Sequence, residues 1–478
     1  MKSIKVLIVS LFLLVAYPVV AFGYEVGNTK DFFIDSNYSS NGSDSVAGEL
    51  ILTSQRAVLY IDSIFWNSKS EEERGEIKEK LKSAVEEFDR KIYPDVTYAF
   101  GTEQYLGIDK NSKITLFFHQ TKSGVNGYIR NIDGYEKAVA PTSNERKIIY
   151  MSTSLEWTRE TLAHELVHLI TLNKKDLRYG IKEDTWLNEA RAEYAVTLLG
   201  YNEGSNSYIN SRIGSFIERP YTSLTDWGNT NHDYGIINSF VHYLVDHYGV
   251  RILSNSLDSK KVGIESIEEV LRNSGYKESF ADIFTNWAIA SYINDCEAGS
   301  KYCFKNKKLA NVLVLPFANF LPFSGESTLY TGQTLNNYSA HWQRYAGGKG
   351  DLTIKFVNPS SKAMTVPYII KKTSGENIVR FINLNGNQEG ELTVSGIGST
   401  VGYVTVIPVL ADNTIDDQSY FYSLTAQTFV REIENGADVN IELPFEIDKP
   451  LNQMNREELL MVIIRLIIHL LMQGKFAI

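Results

Sequence analysis

The chain has 478 residues, a formal net charge of −10 and two cysteines. That length exceeds one typical domain. The mild acidic balance is ordinary for a secreted soluble protein and excludes the basic surface that nucleic-acid binding requires. Two thiols cannot complete a metal site without other partners.

The first 23 residues read as a secretory signal peptide. Lys2 and Lys5 give a positive start, Val6 to Ala16 an apolar core interrupted only by Ser10, and Ala21 and Gly23 small residues before Tyr24. An uncleaved anchor is the alternative, but the apolar run is short for a spanning helix, so the expectation is a secreted, extracellular protein. Residues 24–155 alternate strand-like runs (AVLYIDSIF, KITLFFHQ, KIIYMS) with one strong helix, Glu71 to Lys91. That is a mixed α/β lobe. Calcium fits the polar composition of the loops Asp109–Lys113 and Asp412–Asp417, but such loops are common and do not specify it.

Residues 156–310 read as mostly helical and carry the chemistry. In TLAHELVHLI, Thr161 to Ile170, His164 and His168 stand four apart with Glu165 after the first. Four residues is just over one helical turn, so both imidazoles project from one face. That spacing suits two nitrogen ligands on one zinc ion, with Glu165 beside it to take a proton from water. Leu162, Leu166 and Leu169 supply an apolar stripe to anchor the helix. A catalytic zinc needs a third protein ligand. Downstream lies WLNEARAEYA, and twenty residues separate His168 from Glu189. Lys174, Lys175 and Gly180 punctuate that connection, which leaves room for a turn and a second helix. Glu189 is assigned as the third zinc ligand. Glu193, one turn on, is assigned as acceptor of a hydrogen bond from the far ring nitrogen of a ligand histidine.

HELVH followed at this distance by WLNEARAEY resembles the gluzincin metallopeptidases. KIYP (Lys91 to Pro94), NGYIRNIDGY (Asn126 to Tyr135), SNERKIIYMS (Ser143 to Ser152) and YGIINSFVHYLVDHYG (Tyr234 to Gly249) make residues 30–300 similar to the secreted bacterial hyicolysin-like branch. The resemblance implies an α+β, zincin-type fold: the mixed α/β lobe followed by a helical zinc-binding lobe. It also implies a tyrosine, near the start of a later helix, that donates to the reaction's oxyanion. Tyr234 opens such a helix, and His232, two residues earlier, is the competing candidate. His119 ends a strand, His242 and His247 belong to the later helix, and His341 and His469 fall outside the resemblance.

Cys296 and Cys303, in DCEAGSKYC, read as a small disulfide loop in an exported protein. From 311 to 432 short alternating runs recur between glycine, asparagine and serine turns, the pattern of an antiparallel β-sandwich. No catalytic cluster appears there, so it reads as an accessory or binding module. Residues 433–478 read as a linker and a C-terminal apolar helix, opened by a capping box at Asn455–Glu458. A helix this apolar does not stay bare in water: it docks, self-associates or lies on a membrane surface.

The expectation is an exported zinc metalloendopeptidase, with a protein or peptide substrate paired along the strand near Lys147–Met151. The rival is an exported binding or adhesion protein on a non-catalytic peptidase-like scaffold. An intact Glu165 argues against the rival, since a scaffold need not keep the proton acceptor.

Overall fold

The computed structural model describes residues 24–429 apart from 104–106, 202–207, 323–325, 361 and 414–417, together with 445–447, 449 and 453–472. The signal-peptide reading of residues 1–23 lies outside the described residues, as do most of the linker and the end of the Asp412–Asp417 loop. The architecture is mixed helix and sheet. Residues up to Val430 form one compact unit and Arg431–Ile478 a second.

The chain begins with a six-stranded mixed sheet. Its strands are β1 (Thr29–Phe33), β2 (Ser45–Thr53), β3 (Ala57–Asp62), β4 (Ile114–His119), β5 (Gly127–Tyr128) and β6 (Ile148–Ser152), in the spatial order β1-β2-β3-β4-β6-β5. β3, β4 and β6 run parallel, and β5 is antiparallel to β6. Strand alternation divides the side chains between two cores. Ile114, Leu116 and Phe118 of β4 join the core shared with the helices, whereas Phe117 joins Phe32, Tyr60, Tyr128 and Tyr150 on the other face. The second half of AVLYIDSIF leaves the sheet as helix α1 (Ser63–Asn67), because Asp62 caps it by accepting from Ile64 N and Phe65 N. The helix expected over 71–91 is α2 (Glu71–Glu87), opened by a Ser70–Glu73 capping box. It passes through a π-helical turn, Phe88–Ile92, into α3 (Tyr93–Phe100). Pro94 does not stop it, because it falls in the first turn of α3.

One expectation about this sheet needs correcting. The strand near Lys147–Met151 is β6, and at Tyr150 and Met151 it is flanked by β4 on one side and β5 on the other. It has no free edge there. The outer edge of the sheet on that side is β5, which among the described strands pairs β6 alone.

Seven helices follow: α4 (Thr158–Thr171), α5 (Thr185–Leu198), α6 (Tyr208–Glu218), α7 (Asn231–Tyr248), α8 (Arg251–Asp258), α9 (Gly263–Asn273) and α10 (Phe280–Ile293). On α4 the stripe Leu162, Leu166 and Leu169 is buried, and so are Ala163, Val167 and Ile170. Such a helix is enclosed nearly all round. The α4–α5 connection is a buried ionic staple rather than a solvated turn. Lys175 is buried and donates to Ser259 O and Lys261 O at 2.8 and 2.5 Å. Arg191 on α5 donates to Glu183 Oε2 at 2.8 Å, and Gly263 N donates to Glu183 Oε1 at 2.7 Å. These partners tie the connection to α8 and α9 and set the position of α5. Cys296 and Cys303 form a disulfide with Cα atoms 5.0 Å apart. His247 Nε2 lies 2.9 Å from Cys303 O, which anchors that loop to α7.

The β-rich region is sandwich-like. Its main sheet runs Asn377–Phe381, Pro367–Lys372, Val401–Val406, Glu389–Ile397, Gly350–Val357, Tyr420–Phe429, Ser327–Leu335. Strands Phe317–Leu321, Ser327–Leu335 and Gln343–Gly347 carry no clean alternation and were not legible as runs. The region packs on the helices: Trp342 Nε1 donates to Ala288 O at 3.0 Å, and Tyr292 and Thr405 hydroxyls meet at 2.7 Å. In the second unit, Asn455 and Glu458 make the expected reciprocal cap, Asn455 N donating to Glu458 Oε2 at 2.7 Å and Glu458 N to Asn455 Oδ1 at 3.0 Å. They open the helix Arg456–Met472. None of the described helices is long and apolar enough to cross a membrane.

Three buried histidines give the fold an acid sensitivity. Burial pushes His119, His242 and His341 each down to about 4. Their ring nitrogens meet neutral groups: Tyr128 OH at 2.9 Å, Asn238 O and Thr197 Oγ1 both at 2.7 Å, and Tyr422 OH at 3.0 Å. An unfolded histidine titrates near ~6.5, so on acidification the unfolded chain takes up these protons first. Their stabilising contribution is therefore complete above ~6.5 and is lost as pH falls through the folded values. Tm should drop between pH ~6.5 and ~5, above most carboxylate titration. Calorimetry with excess chelator present checks this, and a flat Tm over that window would contradict it.

Candidate metal centre

α4 and α5 pack against each other and bring three groups to one point. His164, His168 and Glu189 offer ligand atoms that all lie within 4.8 Å of one another. His164 Nε2 is 3.1 Å from Glu189 Oε2, and His168 Nε2 is 3.5 Å from Glu189 Oε1. Tetrahedral ligands on zinc, at bonds of about 2.1 Å, stand about 3.4 Å apart. The two observed separations bracket that spacing. The donor set also fits chemically, being two imidazoles and one carboxylate. Burial opposes Glu189's ionisation, yet the two imidazoles hold its carboxyl well below the usual range. Burial likewise opposes a charged His168, but the Glu189 carboxylate outweighs it and raises the imidazole to about 9. This is the mutual attraction of a carboxylate and a protonatable imidazole held side by side.

Glu165 follows His164 on α4 and is 5% exposed. Its Oε2 is buried with no hydrogen-bond partner. Burial raises its carboxyl above the ordinary range, opposed by His168 and His164. Edge strand β5 passes directly over it. A Cβ on Gly127 would stand 2.5 Å from Thr161 Cγ2 and 3.2 Å from Glu165 Cγ, so only glycine allows this approach.

Glu193 stands behind His164 with Oε1 3.6 Å from its Nδ1, just beyond hydrogen-bond reach. Its fully buried carboxylate is instead held by Tyr208 OH at 2.5 Å, Arg212 Nε at 3.0 Å and Asn238 Nδ2 at 3.2 Å. Tyr208, Arg212 and Asn238 come from α6 and α7, and no spacing in the sequence links them to Glu193. Asn188 was missed too, although it directly precedes Glu189. It lies near His168 and adds to the raising of its pKa, while its Oδ1 and His168 Nδ1 are both buried without a hydrogen-bond partner. Each imidazole thus has a polar side chain of α5 near its Nδ1, although neither Nδ1 is hydrogen-bonded.

Tyr234 stands near the start of α7, after a Thr230–Asp233 capping box. Its ring packs on Trp227 at 5.0 Å, with the Arg212 guanidinium 4.4 Å from its centroid. Burial and the charges of Glu189 and Glu193 push its phenol far above the usual range, so it remains a proton donor. His232 turns elsewhere, its Nε2 lying 3.3 Å from Glu218 Oε2.

No family model matches this chain, and no curated protein does. Several solved structures are similar to under a quarter of it. The pre-peptidase C-terminal domain of a collagenase from Bacillus anthracis shares 15% identity over 23% of this chain and 96% of its own, with a TM-score of 0.18. PliG, a periplasmic inhibitor of g-type lysozyme from Salmonella Typhimurium, shares 13% over 24% of this chain and 98% of its own, with a TM-score of 0.17. The Yersinia pseudotuberculosis-derived mitogen shares 11% over 23% and 92%, also at 0.17. At such scores none of them bears on function.

Proposed function

We propose that this chain is an exported zinc metalloendopeptidase of gluzincin type that hydrolyses peptide bonds in proteins or peptides. The observation that carries the reading is the convergence of His164, His168 and Glu189 beside a buried Glu165 whose Oε2 has no partner. When bound there, zinc supplies a Lewis acid and a nucleophilic water at neutral pH. His164 Nε2, His168 Nε2 and a Glu189 oxygen would hold it. Glu165 takes the proton of the attacking water at Oε2 and passes it to the leaving amine. Its raised affinity for protons suits that relay. Tyr234 donates from its hydroxyl to the developing oxyanion. A substrate in extended form pairs with the open edge of β5, which lies against Glu165. The test is metal content together with cleavage of an unfolded protein. The reading expects about one zinc per chain and hydrolysis that a chelator abolishes. A zinc-loaded protein inert on every substrate would favour the binding scaffold instead.

Tyr234→Phe separates the two oxyanion candidates. The bond is made mainly in the transition state, so the turnover number should fall on the order of 10²-fold while the Michaelis constant barely moves. Zinc content and Tm should stay unchanged. If His232→Ala shows that loss and Tyr234→Phe stays active, the role belongs to His232.

A further inference from the structure

The helix Arg456–Met472 takes no part in the chemistry proposed above, and its surface is apolar over most of its girth. Leu459, Leu460, Met461, Ile463 and Ile464 are 36 to 56% exposed. Successive helical residues point about 100° apart. In angular order the five run Leu459, Ile463, Leu460, Ile464, Met461, an exposed apolar arc of about 200°. Glu458 and Arg465 stand seven residues apart, close to two turns, and share the opposite side. From Leu459 to Met472 the sequence holds two polar residues, Arg465 and His469.

The width of that arc decides what can cover it. A helix that packs on a protein core, or on one partner helix, presents an apolar stripe on the order of 100° wide. A groove or a second copy of that kind would leave about half of this arc in water. A bilayer interface buries a much broader face, because lipid chains close around whatever sinks between them. Charge points the same way. Glu458 is already paired with Lys449, Nζ to Oε2 at 2.7 Å. After it the sequence carries Arg465 and Lys475 and no acidic residue, in a chain of formal net charge −10. A basic segment on an acidic protein complements anionic phospholipid headgroups.

Length and charge together set the orientation. Seventeen residues make a helix about 25 Å long, short of the ~30 Å of hydrocarbon in a bilayer. Arg465 stands near its middle, so a spanning helix would carry that charge to the bilayer centre. A helix lying in the plane keeps Glu458 and Arg465 on the water side and sinks the opposite face.

We propose that the helix Arg456–Met472 lies in the surface of an anionic phospholipid bilayer, with Leu460, Ile463 and Ile464 among the acyl chains, and so holds the protein at a membrane. The proposal is independent of the peptidase reading, since it uses none of that site's residues.

The test is sedimentation of the full-length chain with vesicles, either phosphatidylcholine alone or phosphatidylcholine mixed with phosphatidylglycerol. Wild type should pellet with the mixed vesicles. Leu460→Glu combined with Ile463→Glu charges the centre of the sunken face and should lower the partition coefficient at least ~10²-fold. Arg465→Gln should lower it about fivefold on mixed vesicles and leave it unchanged on phosphatidylcholine, the effect of one cation near an anionic surface. Tm without vesicles should match wild type, because the replaced side chains are exposed. The native cysteines are tied in a disulfide, so a water-soluble maleimide reads the orientation. On vesicles it should label Arg465→Cys and spare Leu460→Cys, and protection of both would replace the in-plane helix by a spanning one. Wild type left in the supernatant overturns the proposal. Dimers that the double variant dissolves would then give the face to a second copy, and a monomer at every concentration would mean that the helix folds back on its own chain. Pelleting that survives in the double variant overturns it as well.

Discussion

Glu165→Gln is expected to leave zinc bound and to lower peptide hydrolysis at least ~10²-fold. The change is nearly isosteric, which matters at this position. Glu165 is enclosed, with β5 packed so tightly over it that Gly127 has no room for a side chain. Glutamine fits the same space, and none of the three candidate ligands is altered. What is lost is the ability to accept and return a proton at Oε2. The carboxyl's environment supports that duty, since burial makes it a stronger base than a solvated glutamate. Metal analysis and turnover on an unfolded protein, made on the same preparation, separate the outcomes. Near-normal turnover would refute Glu165 as the base, and loss of zinc would place it among the ligands.

Glu189→Ala should instead empty the site, because it removes the only carboxylate among the three donors. It also leaves the buried His168 imidazole without the carboxylate that raises its pKa. Glu193→Ala should weaken zinc binding by only about 10- to 100-fold, the usual scale for groups behind a ligand. The structure adds a second expectation for that variant. Arg212 would lose its carboxylate partner in a part-buried setting, so the Tm of the metal-free protein should fall by several degrees. Metal titration beside thermal melting tests both. Stronger metal loss in Glu193→Ala than in Glu189→Ala would exchange the two assignments.

The site's donors were legible in the sequence because helical spacing is a local rule. His164 and His168 share a face of α4 whatever surrounds them, and Glu189 and Glu193 share a face of α5 for the same reason. Asn188 was within sight but unremarked, being one residue from a ligand and on an adjacent face. The Glu193 clamp was not legible. Tyr208, Arg212 and Asn238 reach it from other helices, and nothing in their sequence positions records that meeting. The same limit explains the strand expected to receive substrate. The run KIIYMS marks a strand, but whether a strand is interior or edge depends on its neighbours in space. Lys175 looked like loop punctuation by its charge and is buried because carbonyls of Ser259 and Lys261 come to meet it.

By itself, then, the sequence determined the elements whose cause is short-range. These are the helix that carries two histidines and a glutamate, the cap at Asn455, the close cysteine pair and the alternating runs of the β-rich region. Only the tertiary structure decided how far apart His164, His168 and Glu189 stand and which edge lies open over Glu165. The physical reason is that periodicity and capping act over one or two helical turns, whereas a site closes through contacts between segments dozens of residues apart. Those contacts exist only once the burial of both faces of the first sheet has fixed where α4, α5 and β5 lie.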